Sequence, residues 1–239
     1  MNDVQNIKIN HKSPETMPKA ARKTQEVRKV KKEILDCALN IINDKGIDNL
    51  SMRKLAAQMG MSAANLYNYF KSKENIIIAL DNNGFKMLYR IVKNAVNSAN
   101  SPIEKIKVLI REYIEFGINP NRINQYNIMF NRARVSDYLG TGFEALVEYQ
   151  TRKAFRILDL SFTIISEYIN HNPKLHGRDP KLITLRIWIE LHGIVSFFNN
   201  RLFNELSFSD DFNEFAQDSR KTVEKLTQEL INSIIEGDL

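Results

Sequence analysis

The sequence predicts an all-α fold: a three-helix head with a helix-turn-helix, followed by a larger helical body. Three observations carry this. Gly and Pro number only nine and six in 239 residues, too few for a turn-rich β protein. Apolar residues make up 43% of the chain, enough to bury a core. They recur at spacings of three and four along nearly its whole length, with no convincing strand and no internal repeat.

The elements follow in order. Residues 1–23 are polar, contain Pro14 and Pro18 and lack periodicity, so they read as a disordered basic arm. Helical spacing starts near Thr24, with Val27, Val30, Ile34, Ala38 and Ile41 on one side, and Gly46 ends this helix. Ser51 caps a short second helix whose apolar face is Met52, Leu55, Ala56 and Met59. Gly60 breaks it, and Ser62 caps a third helix running to about Phe70. Residues 24–72 form the expected head. Residues 73–239 are the connecting helix and the body. Ser72 caps the connecting helix over 73–98, with Ile77, Leu80, Leu88, Ile91 and Val92 on its buried side.

In the body, Ser101-Pro102 opens a helix and Asn119-Pro120 closes it. Residues 121–134 make a shorter helix, and Thr141 to about Asn170 a single long one. Asp179-Pro180 starts a helix reaching about Leu206. Ser209 starts the last, with Asp210 and Asp211 in its first turn.

The net charge of +6 lies wholly in residues 1–32, which hold nine Lys/Arg against three acids. A basic segment beside a neutral body suits a polyanionic partner, although a solubilising tail has the same composition. The single cysteine, Cys37, excludes an intrachain disulfide and sits among apolar neighbours, which favours packing over redox sensing. Met1 to Ala20 has no apolar signal core. The most apolar stretch, Leu182 to Phe198, is interrupted by Arg186, Glu190 and His192. Neither a secretory signal nor a membrane span is expected, and the expected compartment is the cytoplasm.

Function concentrates in Ser51 to Phe70. Two helices meeting at a steep angle need a short turn, and Gly60 can take the positive φ that such a turn requires. Leu66 and Phe70 lie four apart and face inward with Leu55, Met59 and Met61. Ala64, Asn65 and Asn68 then point outward. Small residues permit close approach to a groove, and carboxamides can match the donor–acceptor pairs of base edges. Arg53, Lys71, Lys73 and the Tyr67 hydroxyl are placed to meet phosphates.

This stretch resembles the TetR/AcrR family of regulators. The resemblance rests on Gly46, Ser51, Leu55, Ala56, Gly60-Met61-Ser62, Leu66-Tyr67-Asn68-Tyr69-Phe70 and Lys73-Glu74-Asn75-Ile76, and spans about residues 24–80. Ala64 stands where Gly is frequent and Asn68 where an aromatic or Arg is frequent, both on the reading face. The resemblance implies that Ser62–Phe70 is the recognition helix. Ser62, Ala63, Asn65, Tyr67 and Asn68 would face the major groove of double-stranded DNA. Arg53, Lys71 and Lys73 would contact its backbone, and the basic arm would reach toward the minor groove. It also implies a repressor released from a palindromic operator by a small effector. Trp188-x-x-x-His192-Gly193 resembles a signature of one C-terminal subclass.

Family members dimerise through their last two helices, here about 180–206 and 209–236. The stripe Ile187, Leu191, Ile194, Val195, Phe198 and Leu202 is the expected partner-facing surface, with an intramolecular core as its other reading. The effector, which the near-neutral, apolar body predicts to be hydrophobic and not anionic, would lie among Tyr113, Phe116, Tyr126, Met129, Phe130, Phe155, Trp188 and His192, in a region also rich in Phe85, Tyr89 and Phe162. Such residues equally build a helical core. No enzyme, metal or cofactor is expected. His171 and His176 lack supporting ligands, and Gly140-Thr-Gly142 lacks the third Gly of a dinucleotide loop. The competing readings are a TetR-like activator and a helical interaction scaffold that does not bind DNA.

Overall fold

The computed structural model describes residues 19–130 and 135–238. Among them there is helix and no strand. Most of the expected arm, residues 1–18, and residues 131–134 at the end of the expected sixth helix lie outside the described residues. Eleven α-helices follow one another: α1 Lys19–Lys45, α2 Met52–Gln58, α3 Ala63–Tyr67, α4 Lys73–Asn97, α5 Pro102–Ile118, α6 Ile123–Phe130, α7 Glu144–Ala154, α8 Arg156–His171, α9 Pro180–Asn199, α10 Leu202–Glu205 and α11 Ser219–Glu236. The chain divides between Ile76 and Ile77 into two compact units.

In the head, α1 packs on α2 and α2 on α3. Ile34, Ala38, Ile41, Leu55, Leu66 and Phe70 are buried as the spacing predicts, whereas Val27 is exposed and Val30, Met59 and Met61 are only half-buried. Helix α1 starts at Lys19, five residues before Thr24. Ala20, Ala21, Arg22 and Lys23 all favour helix, and apolar period alone misses a helical segment that has no apolar stripe. Gly46 closes α1 with φ +82. Cys37 is half-buried, and burial raises its thiol pKa.

In the body, α5, α8 and α9 pack on one another, and α11 covers α5 and α9. Their core includes Ile110, Tyr113, Ile164, Ile187, Leu191 and Val195. Ser101 and Asp179 cap α5 and α9, as their sequence positions before Pro predict.

Three expectations need correction. The single helix over 141–170 is two, because the chain breaks at Phe155 between α7 and α8. The last helix starts at Ser219 with Asp218 as its cap, whereas Ser209 ends a 3₁₀ turn over Leu206–Phe208. Both Ser209-Asp210 and Asp218-Ser219 are polar starts, and the one that aligns Val223, Leu230 and Ile231 with the core wins.

The third correction concerns α9, which ends at Asn199 and not near Leu206, the left-handed Arg201 at φ +58 separating it from α10, and which is apolar on two opposite sides. Ile187, Leu191 and Val195, expected to face a partner, are at most 1% exposed and belong to the body's own core. Ile194 and Phe198 pack against the same core. The exposed apolar face is the other one: Leu182, Leu185, Ile189 and Phe197, between 46% and 66% exposed. Spacing identifies a stripe, but it does not say which of two stripes meets the rest of the chain. By length and composition α9 is also apolar enough to cross a membrane, with a mean hydropathy of 1.2. It carries an Arg186–Glu190 ion pair at 3.0 Å.

Candidate DNA-binding interface

The turn between α2 and α3 is built by backbone geometry and two serine caps. The Lys54 N–H donates to Ser51 Oγ at 3.3 Å, which starts α2. Gly60 takes φ +65, and the Met61 N–H then reaches Ala56 O at 3.0 Å. The Asn65 N–H donates to Ser62 Oγ at 3.1 Å, which starts α3. Helix α3 stops at Tyr67 and not at Phe70. Its last turn tightens, with Asn68 N–H bonded to Asn65 O and Tyr69 N–H to Leu66 O. Leu66 and Phe70 anchor it from below, and the Lys31 ammonium lies 5.5 Å from the centre of the Phe70 ring.

That anchoring leaves a continuous polar surface. Ser62, Asn65, Tyr67 and Asn68 are exposed, as is Ala64, and Ala63 is half-buried. Tyr67 is 44% exposed, a large aromatic side chain held out of the core. The Ser62 hydroxyl accepts the capping bond and keeps its proton free to donate. Arg53 at the start of α2 and Lys71 after α3 are exposed, and Lys73 is half-buried. Next to Lys73, the Ser72 hydroxyl and the Glu74 backbone N–H hold the Glu74 carboxyl below the usual carboxylate range, fixing a negative charge at the start of α4. The surface thus presents carboxamides, hydroxyls and cations around one short helix.

Residues 34–80 match the model of bacterial regulatory proteins of the tetR family. The head belongs to that family. The family is one of bacterial regulatory proteins. The chain is 34% identical over 81 residues to the transcriptional regulator BetI of Rhizobium meliloti, which is 34% of this chain and 40% of that protein. The match thus spans about two-fifths of the length of the curated relatives. The fold extends further than the sequence match. A TetR/AcrR regulator from Thermobifida fusca superposes with a TM-score of 0.61 at 18% identity, covering 85% of this chain and 97% of that one. AibR, solved with isovaleryl coenzyme A and operator DNA, superposes with a TM-score of 0.56 at 19% identity, covering 86% and 98%.

The residues expected around an effector divide into three groups in the body. Phe130, Phe155 and Trp188 line a cavity of about 310 Å³ together with Phe85, Thr151 and Ile157. Phe85 is among the aromatic residues expected in that region, whereas Thr151 gives no sequence signal because its role depends on the break at Phe155. His192 borders a shallower recess on the other side of Phe130 and Trp188. Phe116 is fully buried and packs beneath the Arg122 guanidinium, apart from the cavity. Met129 is buried against Gly84 of α4.

Tyr113 and Tyr126 lie behind the cavity wall, 1% and 2% exposed. Their hydroxyls are 3.1 Å apart, and Tyr126 Oη lies 2.8 Å from His192 Nδ1. Burial pushes both phenols far above the usual tyrosine range and lowers the pKa of His192. The sign follows directly. A raised phenol pKa contributes stability that is complete below the unfolded value of about 10 and is lost as pH rises above it. The melting temperature of the body should therefore fall steeply above about pH 10, and Tyr113→Phe should flatten that fall. Thermal melts from pH 8 to 11 check this, and parallel profiles for the two proteins contradict it. Among the described residues no cluster of three or more His, Cys, Asp or Glu could hold a metal.

Proposed function

We propose that the protein is a TetR-type transcriptional regulator that binds palindromic double-stranded DNA as a homodimer and releases it when a small effector enters the body. The observation that carries this is the polar, exposed surface of α3, held outward by a buried Leu66 and Phe70. In this reading Ser62, Ala63, Asn65, Tyr67 and Asn68 meet the major groove, and Arg53, Lys71 and Lys73 meet phosphates. Repression follows as the default mode, and the cytoplasm as the compartment.

The exposed face of α9 supports the dimer. Leu182, Leu185, Ile189 and Phe197 form an apolar strip that a second copy would cover, beside α11. A two-fold dimer sets two recognition helices about 34–36 Å apart, the separation of successive half-sites. Helix α4 contributes its first turn to the head and the rest to the body, so an effector that repacks it changes how the two heads hold DNA.

The test is a mobility shift on duplexes selected from a random pool. Binding should weaken steeply with salt, because counterions are released from phosphates. Arg53→Ala and Tyr67→Ala should each weaken it by about tenfold or more. An interaction scaffold predicts no selected sequence and indifference to both substitutions.

A further inference from the structure

The cavity's surroundings narrow the chemistry of the effector, and this inference rests on the regulatory reading above. The wall formed by Phe85, Phe130, Phe155 and Trp188 is apolar, and cations adjoin several of its residues along the chain. Lys86 follows Phe85, Lys153 precedes Ala154, and Arg156 lies between Phe155 and Ile157, so each is one residue from the lining. Two tyrosines, Tyr89 on α4 and Tyr149 on α7, receive three cations from α4, α7 and the start of α8. The Arg156 guanidinium lies 4.4 Å from the centre of the Tyr89 ring, with the Lys93 ammonium 5.6 Å from the same ring. The Lys153 ammonium lies 4.1 Å from the centre of the Tyr149 ring. Lys153, and more weakly Lys86, hold the Tyr149 hydroxyl below the usual phenol range.

Among the described residues none of Lys86, Lys93, Lys153 and Arg156 has a carboxylate within ion-pair distance. Nearby Arg152 is already paired with Glu148 at 2.6 Å. Tyrosine faces orient Lys93, Lys153 and Arg156 without neutralising them, and no carboxylate neutralises Lys86 either, which leaves their charge available to an anion. A second observation comes from inside the cavity. Thr151 lines it, and its buried Oγ1 has no hydrogen-bond partner among the described residues.

We infer that the effector is an anionic amphiphile, with an apolar tail against Phe85, Phe130, Phe155 and Trp188 and an anionic head held by Lys86, Lys153 and Arg156. The cavity sets the tail's size. At about 30 Å³ for each water-sized group, its volume takes roughly ten chain atoms. The head is a carboxylate or a phosphate, and an acyl chain can carry either as a free acid or as a coenzyme A thioester.

Trp188 is the chain's single tryptophan and lies in the cavity wall, so its fluorescence reports occupancy directly. The full-length protein is titrated with decanoate, decanoyl coenzyme A, decanol and coenzyme A. Decanoate or decanoyl coenzyme A, or both, should change the emission, and whichever binds tighter identifies the head. Decanol should bind at least about tenfold more weakly, and coenzyme A alone should leave the emission unchanged. Lys153→Ala/Arg156→Ala should weaken the charged ligand about tenfold or more while leaving decanol unaffected. Circular dichroism checks that the variant is folded. Equal affinity for decanol and decanoate, or indifference to the double substitution, overturns the anionic head. Silence of Trp188 toward every amphiphile overturns the site itself. In both cases a selected duplex that still shifts leaves the DNA-binding reading intact.

Discussion

Asn65→Asp/Asn68→Asp should lower affinity for the selected duplex by about 100-fold while leaving the melting temperature unchanged. Both side chains are exposed, and neither is needed by the fold. The capping bond to Ser62 uses the Asn65 backbone N–H and not its carboxamide. Position 65 is in the first turn of α3, where a carboxylate is favoured. Position 68 follows the last turn, where it is disfavoured, so the two stability effects of about 0.3–1 kcal/mol oppose each other. For binding they add. Each substitution removes a donor that a base edge can accept, worth about 1–3 kcal/mol, and sets a carboxylate against the phosphate field. Fluorescence anisotropy on the labelled duplex, with a melt of the free protein alongside, measures both quantities. Unchanged affinity would remove α3 from the interface. A fall in affinity that tracks a fall in melting temperature would mean only that the head had unfolded.

The head was legible because its signals are local. Ser51, Ser62, Gly46 and Gly60 act within four residues of themselves, and the structure uses each one as its type predicts. The body's helix starts at Ser101-Pro102 and Asp179-Pro180 were legible for the same reason. Three features were not, and each depends on distant contacts. The break at Phe155 has no Gly or Pro to mark it. The two stripes of α9 are equally apolar, and only the positions of α5, α8 and α11 decide which is covered. The cavity's cations come from α4 and from the α7–α8 junction, some sixty residues or more apart in sequence, so no window of sequence brings Lys86 to Lys153. The aromatic residues around it were visible, but the charge beside it was not.

The packing of α5 on α9 offers the second large effect, because a glycine stands where the two helices meet. A Cβ on Gly117 would lie 2.5 and 2.8 Å from the two methyl groups of Val195 and 3.2 Å from Tyr126. Val195 is fully buried, and as a β-branched side chain it has little rotamer freedom with which to clear the site. Asn199 Nδ2 also donates to Gly117 O at 3.1 Å, which ties the helices together at that point. In a helix, Gly→Ala gains about 1 kcal/mol in propensity. Overpacking a close-packed core costs about 1–3 kcal/mol, so Gly117→Ala should destabilise the body, and Gly117→Val should do so more strongly. Phe116→Ala, one residue away, should cost about 3–5 kcal/mol through a cavity and not a clash. In a chain of this size each kcal/mol lowers the melting temperature by about 2–4 °C. A double-mutant cycle separates the two mechanisms. Val195→Ala frees the space that the added methyl group of Gly117→Ala needs, so it should recover about 1 kcal/mol or more relative to the sum of the single substitutions. It should recover nothing in the Phe116→Ala background. Additive losses for Gly117→Ala and Val195→Ala would mean that the helices move apart without resistance, and the close approach at Gly117 would not be what holds α9 in place.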